Sequence, residues 1–113
     1  MKQRDIWFAN LDPTKGSEQA GLRPVVIISG DSMNQNTSLC LVCPLSSKIK
    51  NFPTTVFVKK TLQNGLTADS EVLTFQIRVL AQSRFIRRIG EITETELEQI
   101  IDEIGRASCR ERV

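Results

Sequence analysis

The chain contains no histidine and no tyrosine, which narrows its chemistry before any motif is considered. Without histidine, the commonest acid–base side chain, the usual catalytic triads and most zinc sites are excluded. Arginine, carboxylates, hydroxyls and backbone N–H groups remain. That set suits recognition of an anion, phosphate above all, because a guanidinium engages phosphate oxygens through two parallel hydrogen bonds. Such groups concentrate in Asp12-Pro13-Thr14-Lys15-Gly16-Ser17-Glu18-Gln19-Ala20-Gly21-Leu22-Arg23-Pro24. Gly16 and Gly21 permit positive φ and close approach of a backbone. Long loops between strands commonly carry function, although composition alone describes a solvated hairpin loop equally well. The loop is not a P-loop, because its spacing differs and its lysine precedes the glycine.

The flanking segments that must position this loop read as strands. Ile6 to Leu11 is β-prone and stops at Asp12-Pro13. Val25-Val26-Ile27-Ile28-Ser29 is a β-branched run suited to a buried strand. Gly30 to Asn36 is turn chemistry with room for one helical turn. Leu39 to Leu45 and Thr54 to Val58 read as further strands, and Asn64-Gly65 as a turn. Ser70 to Phe75 is predicted as a fifth strand, which Ile77 to Leu80 either extends or follows as a sixth. Gln82-Ser83-Arg84 reads as a turn. Thr93-Glu94-Thr95-Glu96 fits a capping box, with Thr93 as N-cap. Leu97, Ile100, Ile101 and Ile104 then fall at helical spacing on one face. Five to seven short strands and one C-terminal helix predict a mainly β fold, a small and strongly bent β-barrel.

At 113 residues the chain suits one domain, and its 40% hydrophobic and 25% charged residues match a globular protein. No apolar run approaches the roughly 20 residues that cross a bilayer, and no signal-peptide core precedes the first strand. A cytoplasmic protein with no membrane association is expected. Cys40 and Cys43 form a C-x-x-C inside Leu39-Cys40-Leu41-Val42-Cys43. Residues three apart in a strand point to opposite faces, so the pair reads as two small buried hydrophobes. No metal site is expected. Gly105 to Val113 departs abruptly from the preceding pattern and, with Glu103 and Ile104, resembles a translated sequencing adapter. The domain is therefore expected at 1–104, with 105–113 a non-native tail in which Cys109 carries no meaning. Without that tail Lys plus Arg falls from 15 to 12 and Asp plus Glu from 13 to 12, so residues 1–104 are neutral. The overall charge of +2 is no argument for nucleic-acid binding.

The loop from Asp12 to Pro24, followed by Val-Val-Ile-Ile-Ser, resembles the hallmark segment of the MazF/PemK toxins. Further similarities follow in order: Cys40-Leu41-Val42-Cys43-Pro44-Leu45-Ser46, Phe52-Pro53, Gly65 to Leu73, and Phe75-Gln76-Ile77-Arg78-Val79-Leu80. The last is similar to that family's Asp/Glu-Gln-Ile-Arg segment. The resemblance spans residues 5–104. It implies an SH3-like barrel of the PemK/CcdB-like toxin type and a homodimer. It also implies sequence-specific, metal-independent cleavage of single-stranded RNA by 2′-OH attack, with no cofactor. A cognate antitoxin, with which such toxins bind DNA, is implied as partner. The essential arginine falls on Arg23 and the second catalytic residue on Ser46, with Ser47 as the neighbouring alternative.

Arg23, always charged, is suited to stabilising the phosphorane oxygens and poorly suited as a base. Glu18 is either a base or an anchor for Arg23. Lys15, Ser17, Gln19, Ser47, Lys48 and Gln76 are candidates for RNA contact. Loop structure is the competing role for Ser17 and Gln19, and bonding the loop backbone the competing role for Gln76. Lys48, Lys50, Lys59 and Lys60 form a basic edge that suits RNA phosphates or simply a solvated face. Trp7 reads as core packing ahead of base stacking. Arg4 stands where the family has glycine, a departure expected to perturb only the start of the first strand. Two rivals remain: a gyrase-directed, protein-binding toxin on the same barrel, and an inactive truncated relative.

Overall fold

Val25, Val26, Ile27 and Ile28 are all buried, and they alternate between two separate apolar clusters. A β-branched run of this kind is what a strand covered on both faces requires. The computed structural model describes residues 1–11 and 21–111, with side chains through residue 106. In chain order it contains β1 (Asp5–Asn10), β2 (Leu22–Ile27), a short helix α1 (Asp31–Asn36), β3 (Leu39–Ser46), β4 (Val56–Val58) and β5 (Ser70–Val72). A 3-10 turn at Thr74–Gln76 precedes β6 (Arg78–Ala81), and a second at Gln82–Arg84 precedes β7 (Phe85–Glu91) and α2 (Glu94–Glu111).

The strands form one antiparallel sheet in the order β4-β5-β3-β2-β1-β7, with β6 also paired to β3. One edge of β3 is shared between two partners: Leu39–Val42 pairs with β6, and Leu45–Ser46 with β5. The division falls at Cys43-Pro44. Proline has no N–H to continue a ladder, and its carbonyl accepts a bond from Leu73 N at 2.9 Å. The sheet therefore bends around β3. Among the described residues no ladder joins its outer strands β4 and β7. The barrel-like curl is completed instead by the turn after β4, where Gln63 O accepts from Glu91 N at 3.2 Å. Gly90 lies against that turn so tightly that a Cβ there would meet Gln63 O at 2.4 Å.

The larger cluster unites Ile6, Val26, Cys43, Leu45, Val58 and Val72 with Leu97 and Ile100 of α2. The capping box forms as read: Thr93 N donates to Glu96 Oε1 at 2.9 Å, and Glu96 N to Thr93 Oγ1 at 3.1 Å. Ile104 packs against the cluster, whereas Ile101 stays 48% exposed at the margin of the stripe. The backbone of α2 runs on through Gly105 to Glu111 with no break.

Several local expectations change. The predicted strand from Ser70 to Phe75 ends at Val72, because the chain turns at Thr74, whose hydroxyl donates to Thr54 O. The strand expected from Thr54 starts only at Val56, since Thr55 N donates to Phe52 O and makes a turn. Strand β7 has no counterpart in the sequence reading, where Arg87-Arg88 interrupts the apolar pattern. Its charges are accommodated at the sheet edge: Arg88 bonds Asp5 Oδ1 at 3.1 Å, and Arg87 lies 4.8 Å from the centre of the Phe8 ring. Arg4 has φ of +80°, so the conformation at that position is one that suits glycine.

Cys40 and Cys43 diverge as read, one into each cluster. Burial raises both thiols, Cys43 to about 12. Cys109 lies outside the described side chains. Trp7 packs against the smaller cluster, edge-on to Phe85 at 5.8 Å. Among the described residues no helix is long and apolar enough to cross a membrane.

Candidate active site

Leu11 N donates to Gly21 O at 2.9 Å, and Asn10 pairs with Leu22. The ends of the hallmark loop are thus clamped into a β1–β2 hairpin, with Gly21 at φ +75°. Lys15, Ser17, Glu18 and Gln19 lie outside the described residues. Arg23 follows the clamp on β2, exposed and paired with Ala9.

The β2–β3 ladder pairs Val25 with Pro44. The ladder ends at that pair; by alternation along each strand Arg23 shares the face of Val25 and Ser46 that of Pro44. Ser46 is in turn the direct partner of Glu71 on β5. Ser46 and Glu71 are therefore a cross-strand pair on the sheet face that Arg23 shares. The intervening Leu45 and Val72 point the other way, into the cluster beneath α2. The sheet itself brings a guanidinium, a hydroxyl and a carboxylate to one face.

Beside Ser46 opens a pocket of about 390 Å³, lined by Ser46, Lys48, Lys50, Phe52, Glu71, Leu73, Phe75 and Gln76. Ser46 Oγ accepts from Lys48 N at 3.2 Å, turning the chain at the end of β3. The hydroxyl proton is the group it can present to a substrate oxygen. Asn51, at φ +54°, helps to fold the segment back across the strand ends. Phe52 and Phe75 meet edge-to-face at 5.6 Å and 89°, yet they are 45% and 49% exposed. An aromatic pair left open beside two lysines is suited to an unstacked base with its phosphate.

Of the sequence candidates, Ser46, Lys48 and Gln76 line this pocket, together with Lys50 from the basic edge. Arg23 shares the sheet face of Ser46 and is not among the pocket-lining residues. Ser47 is exposed next to Ser46 and Lys48. Lys59 and Lys60 follow β4 and do not line the pocket. Sequence reasoning missed Glu71, Phe52 and Phe75 as site residues. Their signals were a carboxylate in the middle of a segment read as a strand and two aromatics in polar segments. Among the described residues no cluster of three or more His, Cys, Asp or Glu is placed to hold a metal.

The profile of the PemK-like, MazF-like toxins of type II toxin–antitoxin systems matches residues 2–107. The chain is 35% identical over 106 residues to the endoribonuclease MazF9 of Mycobacterium tuberculosis, covering 88% of this chain and 89% of that protein. Its structure is similar to MazF from Deinococcus radiodurans, with a TM-score of 0.83, 27% identity and coverage of 95% and 94% of the two chains. A MazE–MazF structure from the same organism matches with a TM-score of 0.77 at 27% identity, covering 95% of this chain and 94% of that one. The chain belongs to the family of PemK-like, MazF-like toxins of type II toxin–antitoxin systems.

Proposed function

We propose that the chain is an endoribonuclease toxin that cleaves single-stranded RNA in a sequence-specific, metal-independent manner. The observation that carries this reading is the pocket beside Ser46, walled by Lys48, Lys50, Phe52 and Phe75, on the sheet face that Arg23 shares. The 2′-oxygen of one nucleotide attacks the adjacent phosphorus while the bond from phosphorus to the 5′-oxygen breaks. The products are a 2′,3′-cyclic phosphate and a 5′-hydroxyl. The proton leaves the 2′-oxygen for a base, and a proton reaches the departing 5′-oxygen.

Arg23 neutralises charge that builds on the phosphorane oxygens, which a fixed guanidinium stabilises more in the transition state than in the ground state. Ser46 donates its hydroxyl to a phosphate oxygen or relays a proton near the 2′-OH. Glu18, in the hallmark loop, serves as base or holds Arg23. Lys48 and Lys50 attract the phosphates, and the phenylalanines seat a base. Lys15, Ser17, Gln19, Ser47 and Gln76 add contacts that select sequence. The protein works as a homodimer in the cytoplasm, and a cognate antitoxin with an acidic, partly disordered tail competes with RNA for the same surface. Together with that antitoxin it binds DNA.

The test is incubation of the purified protein with a long RNA in EDTA. Discrete cuts ending in 2′,3′-cyclic phosphate, lost in Arg23→Ala, are expected. Intact RNA alongside trapped gyrase–DNA cleavage would overturn the proposal in favour of a protein-directed toxin.

A further inference from the structure

Glu71 is 2% exposed, and among the described residues no cation lies within ion-pair distance of it. A buried carboxylate carries a large desolvation penalty unless hydrogen bonds satisfy it. Both oxygens are satisfied, and by the same segment. Lys50 N donates to Oε1 at 2.9 Å, and Thr55 Oγ1 donates to Oε2 at 3.0 Å. The neighbouring residues of β5 are Ser70 and Val72, and valine at position 71 would suit a strand better. The acid is therefore placed for what it holds. The connection from Ser47 to Thr55 carries Lys48, Lys50 and Phe52 into the pocket. Across from it, the Glu71 carboxylate accepts from Lys50 and Thr55, and the Thr74 hydroxyl donates to Thr54 O.

We infer that Glu71 is a positioning residue for the RNA site: its carboxylate fastens the connection after β3, so that Lys48, Lys50 and Phe52 stand around Ser46. This rests on the nuclease reading above. Glu71 neither touches the phosphate nor moves a proton. It sets the geometry of the groups that bind substrate, and its removal acts first on KM. Bonds to a charged acceptor are about twice as strong as neutral ones, which explains a carboxylate where an apolar residue would fit the strand.

Three variants and two readouts test the inference on the full chain with a short single-stranded RNA oligonucleotide. Glu71→Val is expected to stay folded, to raise KM about tenfold or more, and to speed exchange of the Lys50 amide proton. Glu71→Gln is expected to restore KM to within about threefold, since its amide oxygen accepts from Lys50 N and its amide N–H donates to the Thr55 oxygen. Thr55→Val, which removes one of the two bonds from the loop side, is expected to raise KM about threefold. A merely structural role would lower melting temperature and leave KM unchanged. Wild-type protein that cleaves, beside folded Glu71→Val and Thr55→Val proteins of unchanged KM, overturns the inference alone. Wild-type protein that leaves the RNA intact overturns the nuclease reading and the inference with it.

Discussion

Ser46, at the end of β3, and Glu71, in the middle of β5, face each other as a direct cross-strand pair. One is a candidate for the chemistry and the other is buried beneath the segment that walls the pocket. Because Arg23 on β2 shares this face of the sheet, any shift in register at β3 would separate the three. A one-residue slip would turn each side chain to the other face.

Arg23→Ala should lower RNA cleavage about a hundredfold or more, the size expected when a donor to developing oxyanion charge is removed. Arg23→Lys should fare little better, since an ammonium lacks the planar fork. Arg23 is exposed on β2, so the melting temperature should hardly move. Single-turnover cleavage beside a thermal melt checks both statements.

Ser46→Ala should cost about a hundredfold in kcat, within the range for a positioned hydroxyl that handles a proton. Ser46→Thr keeps the oxygen and adds a methyl that restrains χ1, so it should cleave at least as fast as wild type. Equal rates for Ser46→Ala and wild type would shift the role to Ser47.

Arg4 is held at φ +80°, where a Cβ is unfavourable, and among the described residues its guanidinium reaches Ile92 O at 3.3 Å and Glu91 at 3.9 Å. Arg4→Gly should raise stability by up to about 1 kcal/mol as left-handed strain outweighs those contacts. Urea denaturation would show a higher midpoint with the slope unchanged.

Gly90 has no room for a side chain, with Gln63 O at 2.4 Å and Asn64 C at 2.5 Å from an added Cβ. Gly90→Ala should destabilise the fold by about 2 kcal/mol, as overpacking against backbone does. It should also loosen the turn that completes the curl, seen as faster exchange of the Glu91 amide proton.

Cys43 stays a neutral thiol in the native state because burial pushes it from 9.0 to about 12. In the unfolded chain it ionises near its ordinary value. Between these two values the unfolded state binds fewer protons, so stability falls as pH rises through that window. Below pH 9 both states keep the proton and the effect vanishes. Alkylation of native protein at pH 8 should therefore miss Cys43, and Cys43→Ala should flatten the alkaline decline in melting temperature.

Much of the scaffold is readable from local pattern. The β-branched run at Val25–Ile28, the Thr93/Glu96 capping box and the opposed cysteines all follow from periodicity and short-range hydrogen bonding, and each stands as read. Strand β7 was not readable, since Arg87 and Arg88 break the apolar alternation and are stabilised by Phe8 and Asp5 far along the chain. The strand at Ser70 is shorter than its sequence suggests, because nothing local announces the turn at Thr74, whose hydroxyl donates to Thr54 O.

The same division holds for the site. Residue types alone determined that any chemistry here runs on arginine, hydroxyls and carboxylates, because histidine and tyrosine are absent. Ordered motifs marked Arg23 and Ser46. Only the tertiary structure decided that these two share a sheet face with Glu71, and that Phe52 and Phe75 meet beside Ser46. The reason is physical: Glu71 has value only through bonds to Lys50 and Thr55, 21 and 16 residues away, and such pairings depend on sheet register. Local composition carries no record of that register until the sheet has formed.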